Sequence, residues 1–282
     1  MNALELSRVS FRYPASQAVL HDVTLDADAR RVTWLFGPLG AGASTVLLVA
    51  AGLAPSLTGG TLEGNVRVLG QAPQTREGRA ILQGRLGYVT AMPYLQLSGM
   101  AESVFDEVAF APANLGWSRE RIWQEVPIAL ERLGVQHLAD RVPEQLSGGE
   151  LQRVVIAAML VLQPEVWLLD EPSSALDTVG RRTVQTLIRA EAERGAAVLL
   201  ATEDAELGLA VADEMVLLDE GSTIARGAPA ELLGTELMWE MGAGSTNVAE
   251  LSRMAHRLLP VADPRLVPPF PLTVEAAVER WR

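Results

Sequence analysis

The sequence predicts an α/β fold, and three features carry the prediction. Short apolar runs of strand character alternate with longer helical stretches along most of the 282 residues. A glycine-rich turn, Gly37–Gly42, joins one buried run to one apolar helix. An acidic pair, Asp170-Glu171, closes another apolar run.

Taken in order, Leu4–Val9 and Val23–Ala27 read as strands and Val32–Phe36 as a buried one. The turn at 37–42 leads into a helical stretch from Ser44 to Ala51, and Thr61–Leu69 alternates like a half-exposed strand. Between about 90 and 162 helices dominate, at Glu102–Ala113, Arg119–Leu133 and Glu150–Leu162. Strand character returns at Val166–Leu169, Ala197–Ala201 and Glu214–Leu218, with a long helix, Asp177–Arg194, between the first two. Gly242–Ser245 is a break, and beyond it Pro260, Pro264, Pro268, Pro269 and Pro271 punctuate short helices. No internal repeat interrupts this order.

Composition removes several classes of function. An apolar fraction of 49% supports a real core. The net charge of −12 argues against a nucleic-acid binder held by phosphate contacts. With no cysteine there is no disulfide scaffold, thiolate zinc site or cysteine nucleophile. Mean hydropathy is high at +0.17. Yet the longest apolar run, Val154–Leu162, has nine residues, against the roughly 20 that a spanning helix needs. The first residues lack the pattern of a secretory signal. A cytoplasmic chain is expected, held at a membrane only through partners.

Residues 37–45 read Gly37-Pro38-Leu39-Gly40-Ala41-Gly42-Ala43-Ser44-Thr45. The phosphate-binding pattern is G-x-x-x-x-G-K-[ST], in which backbone N–H groups and a helix N-terminus hold phosphates. Gly37, Gly42 and Ser44 fall in place, but Ala43 stands where the lysine belongs. One ammonium about 4 Å from a phosphate oxygen contributes up to about 4 kcal/mol at intermediate dielectric. Weak nucleotide binding therefore survives on paper, with Ser44 placed for Mg²⁺, and fast hydrolysis does not.

Two further motifs follow. Leu146-Ser147-Gly148-Gly149-Glu150 opens an apolar helix, with Ser147 as its N-cap and two glycines leaving N–H groups open to an anion. Asp170 and Glu171 then end a strand, where a magnesium-associated carboxylate and a water-activating carboxylate are expected.

Together these motifs resemble the ATP-binding subunit of an ABC transporter, over about residues 3–235. The resemblance makes Ser147–Glu150 the family signature, Ser174-Ala175-Leu176-Asp177 the D-loop, and Tyr13 the aromatic under the adenine. It implies ATP and Mg²⁺ as ligands, with a helical subdomain near 92–162 and an extension from about 236 that commonly helps two ATPases pair. Asp106–Phe110, Asn114–Gly116, Arg141–Glu150 and Pro269–Ala277 are similar to the ATPases of energy-coupling factor (ECF) transporters, importers of vitamins or transition-metal ions.

Three positions depart from that pattern. Ala43 replaces the lysine, Ala91 replaces the magnesium-binding glutamine, and Glu203 replaces the switch histidine. All three would line this chain's own half-site. In the family two ATPase domains sandwich ATP head-to-tail, so Ser147–Glu150 would serve a partner's nucleotide. The expectation is an asymmetric heterodimer, in which a second ATP-binding subunit keeps its P-loop lysine. The resemblance also implies a transmembrane coupling protein and a substrate-binding membrane protein, with this chain peripheral at the cytoplasmic face. The alternative is a soluble ABC-type ATPase in cofactor assembly or in nucleic-acid or ribosome work.

His21, His137 and His256 lack ligand spacing, so no metal beyond nucleotide-bound Mg²⁺ is expected. Trp34 and Trp167 read as core. Trp117, Trp123, Trp239 and Trp281 fall in helical or terminal regions, and Glu203–Glu206 reads as a helix start.

Overall fold

The computed structural model describes residues 2–241, 245–258 and 269–281. Of the predicted break at Gly242–Ser245, all but Ser245 lies outside the described residues, as do Pro260, Pro264 and Pro268.

The chain begins with β1 (Asn2–Arg12), β2 (Ala18–Asp28), β3 (Val32–Phe36), α1 (Ala43–Ala50) and β4 (Thr61–Val68). Then come α2 (Arg76–Leu82), β5 (Leu86–Val89), α3 (Val104–Asn114), α4 (Arg119–Arg132) and α5 (Gly148–Leu160). The next group is β6 (Val166–Asp170), α6 (Thr178–Arg194), β7 (Ala197–Ala201), α7 (Ala205–Val211), β8 (Glu214–Asp219) and β9 (Ser222–Gly227). It closes with α8 (Pro229–Leu233), α9 (Glu236–Glu240), α10 (Asn247–Leu258) and α11 (Val274–Trp281).

Two sheets result. A small antiparallel one has the order β2-β1-β4, and a larger one the order β5-β6-β7-β3-β8-β9. The larger sheet is parallel except where β8 meets β9. Its central strands are buried on both faces, which is why they are continuous apolar runs in the sequence. Alternation then sorts each strand between two cores. Val32, Trp34, Phe36, Trp167, Leu169, Val198 and Leu200 face the helices, in one core with Val104, Val126, Val154 and Val184. Leu35, Leu168, Leu199 and Val216 face the small sheet, in a second core that also holds Val46, Leu47 and Val49 of α1. The helix carrying the phosphate-type loop is thus clamped between two sheets.

One buried ion cluster ties α4 to α6. Glu191 is 2% exposed; its carboxylate accepts from Arg132 at 2.8 Å and from Arg194 Nε at 2.8 Å. Arg194 also donates to the Pro164 carbonyl at 2.7 Å. Removing the carboxylate leaves two guanidinium groups facing each other. Glu191→Ala should lower stability by about 3 kcal/mol, read as a drop in the urea midpoint, and Glu191→Gln by less.

The observed bounds of β3 and β7 coincide with the sequence reading. Both hairpin strands are longer than expected, at eleven residues each. Strands β5 and β9 and helices α2, α8 and α9 were not anticipated. The chain's C-terminal portion is joined to the main body: Phe270 is 2% exposed and shares the first core with Leu233, Met238 and Ala249. Among the described residues no helix is long and apolar enough to cross a membrane.

Candidate functional site

The site begins at the end of β3. Gly37 has no room for a side chain, because a Cβ there would lie 2.3 Å from the Leu218 carbonyl oxygen. Gly42 adopts φ +102°, in the left-handed region, and caps α1 without any side-chain hydrogen bond. The first-turn N–H groups of α1 are therefore left to a ligand. Ala43 starts that helix, half-buried against the second core. Leu39, at the tip of the loop, is 93% exposed.

Strands β6 and β7 supply the facing wall, with Asp170 paired to Ala201 where both end. The Ser44 hydroxyl donates to Asp170 Oδ1 at 3.0 Å. Burial raises the Asp170 pKa, and the hydrogen bond from Ser44 opposes the shift. Glu171 is held in the left-handed region at φ +46°, a strained conformation for a residue with a side chain. Its Oε1 accepts the Glu203 N–H at 2.6 Å, and its Oε2 accepts the Thr202 hydroxyl at 3.0 Å. Burial raises its pKa as well, partly offset by those two hydrogen bonds and reinforced by the neighbouring Glu203 and Asp170 carboxylates.

Gly37 to Thr45, Ala91, Asp170, Glu171, Thr202 and Glu203 together line one cleft of about 350 Å³. The three departures from the family pattern thus share it. Beside Ala91 the loop is braced internally: Gln96 accepts the Thr90 N–H and donates to the Tyr88 carbonyl, both at 2.7 Å.

Tyr13 does not line this cleft. Its ring stands edge-on to Phe11, and its hydroxyl lies 3.2 Å from Thr45 Oγ1. Ser147–Glu150 are likewise absent from the cleft lining. They form a capping box at the start of α5, with Ser147 Oγ accepting the Glu150 N–H and Glu150 Oε2 accepting the Ser147 N–H at 2.9 Å. Gly149 packs so closely on the D-loop that a Cβ would sit 2.9 Å from the Ala175 carbonyl oxygen. Asp177 caps α6, accepting the Gly180 N–H at 2.7 Å.

Sequence reasoning missed Thr202, Gln96 and the second function of Trp34. Trp34 is fully buried, as expected of core, but its Nε1 also donates to the Thr202 carbonyl at 2.9 Å. Trp167 is core too. Trp117 carries the Arg121 guanidinium 3.4 Å above its ring, while Trp123 is exposed beside Phe105. Asp204 caps α7, in keeping with the helix start read from the sequence.

A P-loop-type turn, paired carboxylates at the end of one buried strand and a glycine-opened helix outside the cleft define an ABC-type nucleotide-binding fold. Residues 20–174 match the ABC transporter family. The nickel import ATP-binding protein NikO of Rhodobacter capsulatus is 38% identical over 235 residues, covering 82% of this chain and 91% of that protein. The energy-coupling factor transporter ATP-binding protein EcfA2 of Methanospirillum hungatei is 34% identical over 230 residues, covering 81% of this chain and 56% of that protein. Among solved structures, cbiO1 from Clostridium perfringens, part of the ABC transporter complex cbiONQ, gives a TM-score of 0.70 at 26% identity. That match covers 92% of this chain and 96% of the other. The chain belongs to the ABC transporter family, as one of its ATP-binding subunits.

Proposed function

We propose that this chain is the degenerate member of a heterodimeric ATPase that energises an ECF-type importer. One observation carries the reading. A complete signature turn at the start of α5 belongs to a chain whose own cleft is lined, among the described residues, by no lysine, arginine or histidine. Such a chain is suited to completing a partner's site and ill suited to running its own.

The residues present fit a magnesium nucleotide as a bound ligand. The turn at Gly37–Thr45 and the uncapped start of α1 would receive phosphate oxygens, and the Ser44–Asp170 oxygen pair suits a hard cation. Bound there, Mg²⁺ would neutralise phosphate charge. The same residues do not fit phosphoryl transfer, because Ala43 and Glu203 supply no positive charge and Glu171 is tied on both oxygens. Tyr13 would serve the adenine by leaving Thr45.

In this reading residues 1–235 form the ATP-binding unit, with a helical subdomain near 92–162. Residues 236–282 form an extension that joins the second ATPase. Exposed Leu251, Met254, Val274 and Val278 on α10 and α11 support such a contact, and exposed Leu39 supports coverage of the loop by the partner. The second ATPase carries the P-loop lysine. A transmembrane coupling protein and a substrate-binding membrane protein complete the complex, and the chain sits at the cytoplasmic face. The names of EcfA2 and of the cbiONQ subunit support this class of partner.

The test is a tagged pull-down from gently solubilised native membranes, with the bound chains identified by mass spectrometry. Integral proteins and an ATPase with an intact P-loop lysine are expected. Integral proteins without a second ATPase would remove the heterodimer. Soluble assembly proteins alone would remove the transport role in favour of a soluble ABC-type ATPase.

A second expectation concerns Glu171. With both oxygens engaged it is an idle base, so Glu171→Gln should change phosphate release by the complex less than about threefold. A loss of about a hundredfold would place the working base in this half-site.

A further inference from the structure

The reading above leaves open which nucleotide the degenerate cleft holds, and the following inference rests on that reading. Three carboxylates line the cleft: Asp170, Glu171 and Glu203. They differ in how far they are already satisfied. Asp170 accepts from Ser44, and Glu171 accepts from both the Glu203 N–H and the Thr202 hydroxyl. Glu203 is exposed, and its own carboxylate accepts no hydrogen bond among the described residues. Nor do the three gather into a cage for a cation: no such cluster occurs among the described residues.

Phosphates nearest the glycine turn meet N–H groups and the positive end of α1. A phosphate beyond those the turn can hold lies in the remainder of the same cleft, whose lining at the ends of β6 and β7 includes Glu171 and Glu203. Each added phosphate brings more negative charge to that wall, and among the described residues no basic side chain lines the cleft to meet it.

We propose that this half-site selects a nucleoside diphosphate over the triphosphate, and that Glu203 sets the preference. The third phosphate adds about one unit charge. Set about 6 Å from one carboxylate in a wet cleft, that charge costs about tenfold in affinity. Glu171 contributes less, because its oxygens are occupied and its position is fixed by the 202–204 turn.

The experiment is competition against a fluorescent nucleotide with magnesium present, using the full-length chain and its complex. The competitors are ADP and a non-hydrolysable ATP analogue. ADP should bind about tenfold more tightly. Glu203→Gln should tighten the analogue until the gap is below about threefold, with ADP moving less than twofold. A readout that needs no variant is salt. Raising ionic strength from about 0.05 to 0.5 M should shrink the wild-type gap, since the interaction is between exposed charges. Equal affinities, or a gap that neither Glu203→Gln nor salt narrows, overturn the proposal while leaving the transporter reading intact. A chain that takes neither nucleotide overturns the proposal and with it the claim that the cleft holds one.

Discussion

Ser147→Arg should reduce ATP turnover of the assembled complex by about a hundredfold or more while leaving the chain folded. The two effects separate because of where Ser147 sits. It is the exposed N-cap of α5, so a longer side chain can turn into solvent in the free chain. What is lost locally is the capping box, a cost of about 1 kcal/mol. In the sandwich that the proposal requires, the same position meets the phosphates bound by the partner. There the helix offers N–H groups from Gly148 and Gly149, and an arginine side chain fills the approach. Ser147→Ala is the control for capping alone, and its turnover should fall by no more than about tenfold. The assay is phosphate release by the purified complex, alongside thermal unfolding of each variant. The hydrogen bonds from Ser147 hold Glu150 below the usual carboxylate range. The cap is therefore at full strength above the unfolded-state value and weakens only as pH falls through the lower folded one. Neutral assays report on it intact. Turnover within threefold of wild type would remove the trans role of the signature.

The parts of this molecule that were legible in the sequence are those where one physical demand acts on consecutive residues. Val32–Phe36 and Ala197–Ala201 are buried on both faces, so their apolar runs end where the strands end. Strand β5 is short and contains Gly87, where a Cβ would lie 2.9 Å from Pro164 Cγ, and that packing need hides its strand character. Strand β9 is a half-buried edge of mixed sequence, Ser222–Gly227; its Arg226 forms ion pairs with Asp26 and Glu214, and it carries no continuous apolar run to mark it. Helix α2 is one short turn pair, marked only by Thr75, whose side chain accepts the Gly78 N–H. The site divides in the same way. Gly37, Gly42, Ser44, Asp170 and Glu171 stand out because they match, in residue type and spacing, the pattern of a phosphate- and magnesium-binding turn, and the fold brings them to one cleft. Thr202 and Gln96 do not, because each acts by hydrogen-bonding a group brought near by folding. Tyr13 illustrates the limit. Its position after β1 suggested a role, but only the fold reveals the Thr45 hydroxyl as its neighbour.

Gly208→Ala should lower stability by about 3 kcal/mol, and the effect should reach the cleft. A Cβ at 208 would lie 2.3 Å from Trp34 Cε2 and 2.4 Å from both Cδ2 and Cζ2. Trp34 is fully buried, with Phe36 at 4.8 Å, so the ring has no free volume to enter. The strain falls on α7 instead, a helix of only seven residues capped by Asp204. Moving α7 outward pulls on the 202–204 turn, which is anchored by the Trp34 hydrogen bond to the Thr202 carbonyl and by the Glu171 carboxylate. The urea midpoint should therefore fall, and the diphosphate preference set by Glu203 should weaken in the same variant. Trp34→Phe removes ring volume and that hydrogen bond, at a cost of about 2 kcal/mol alone. It also makes room for the added methyl. The double variant should accordingly be more stable than the sum of the single losses by about 1 kcal/mol or more. Simple additivity would show that the ring contact is not what holds α7, and through it Glu203, in place.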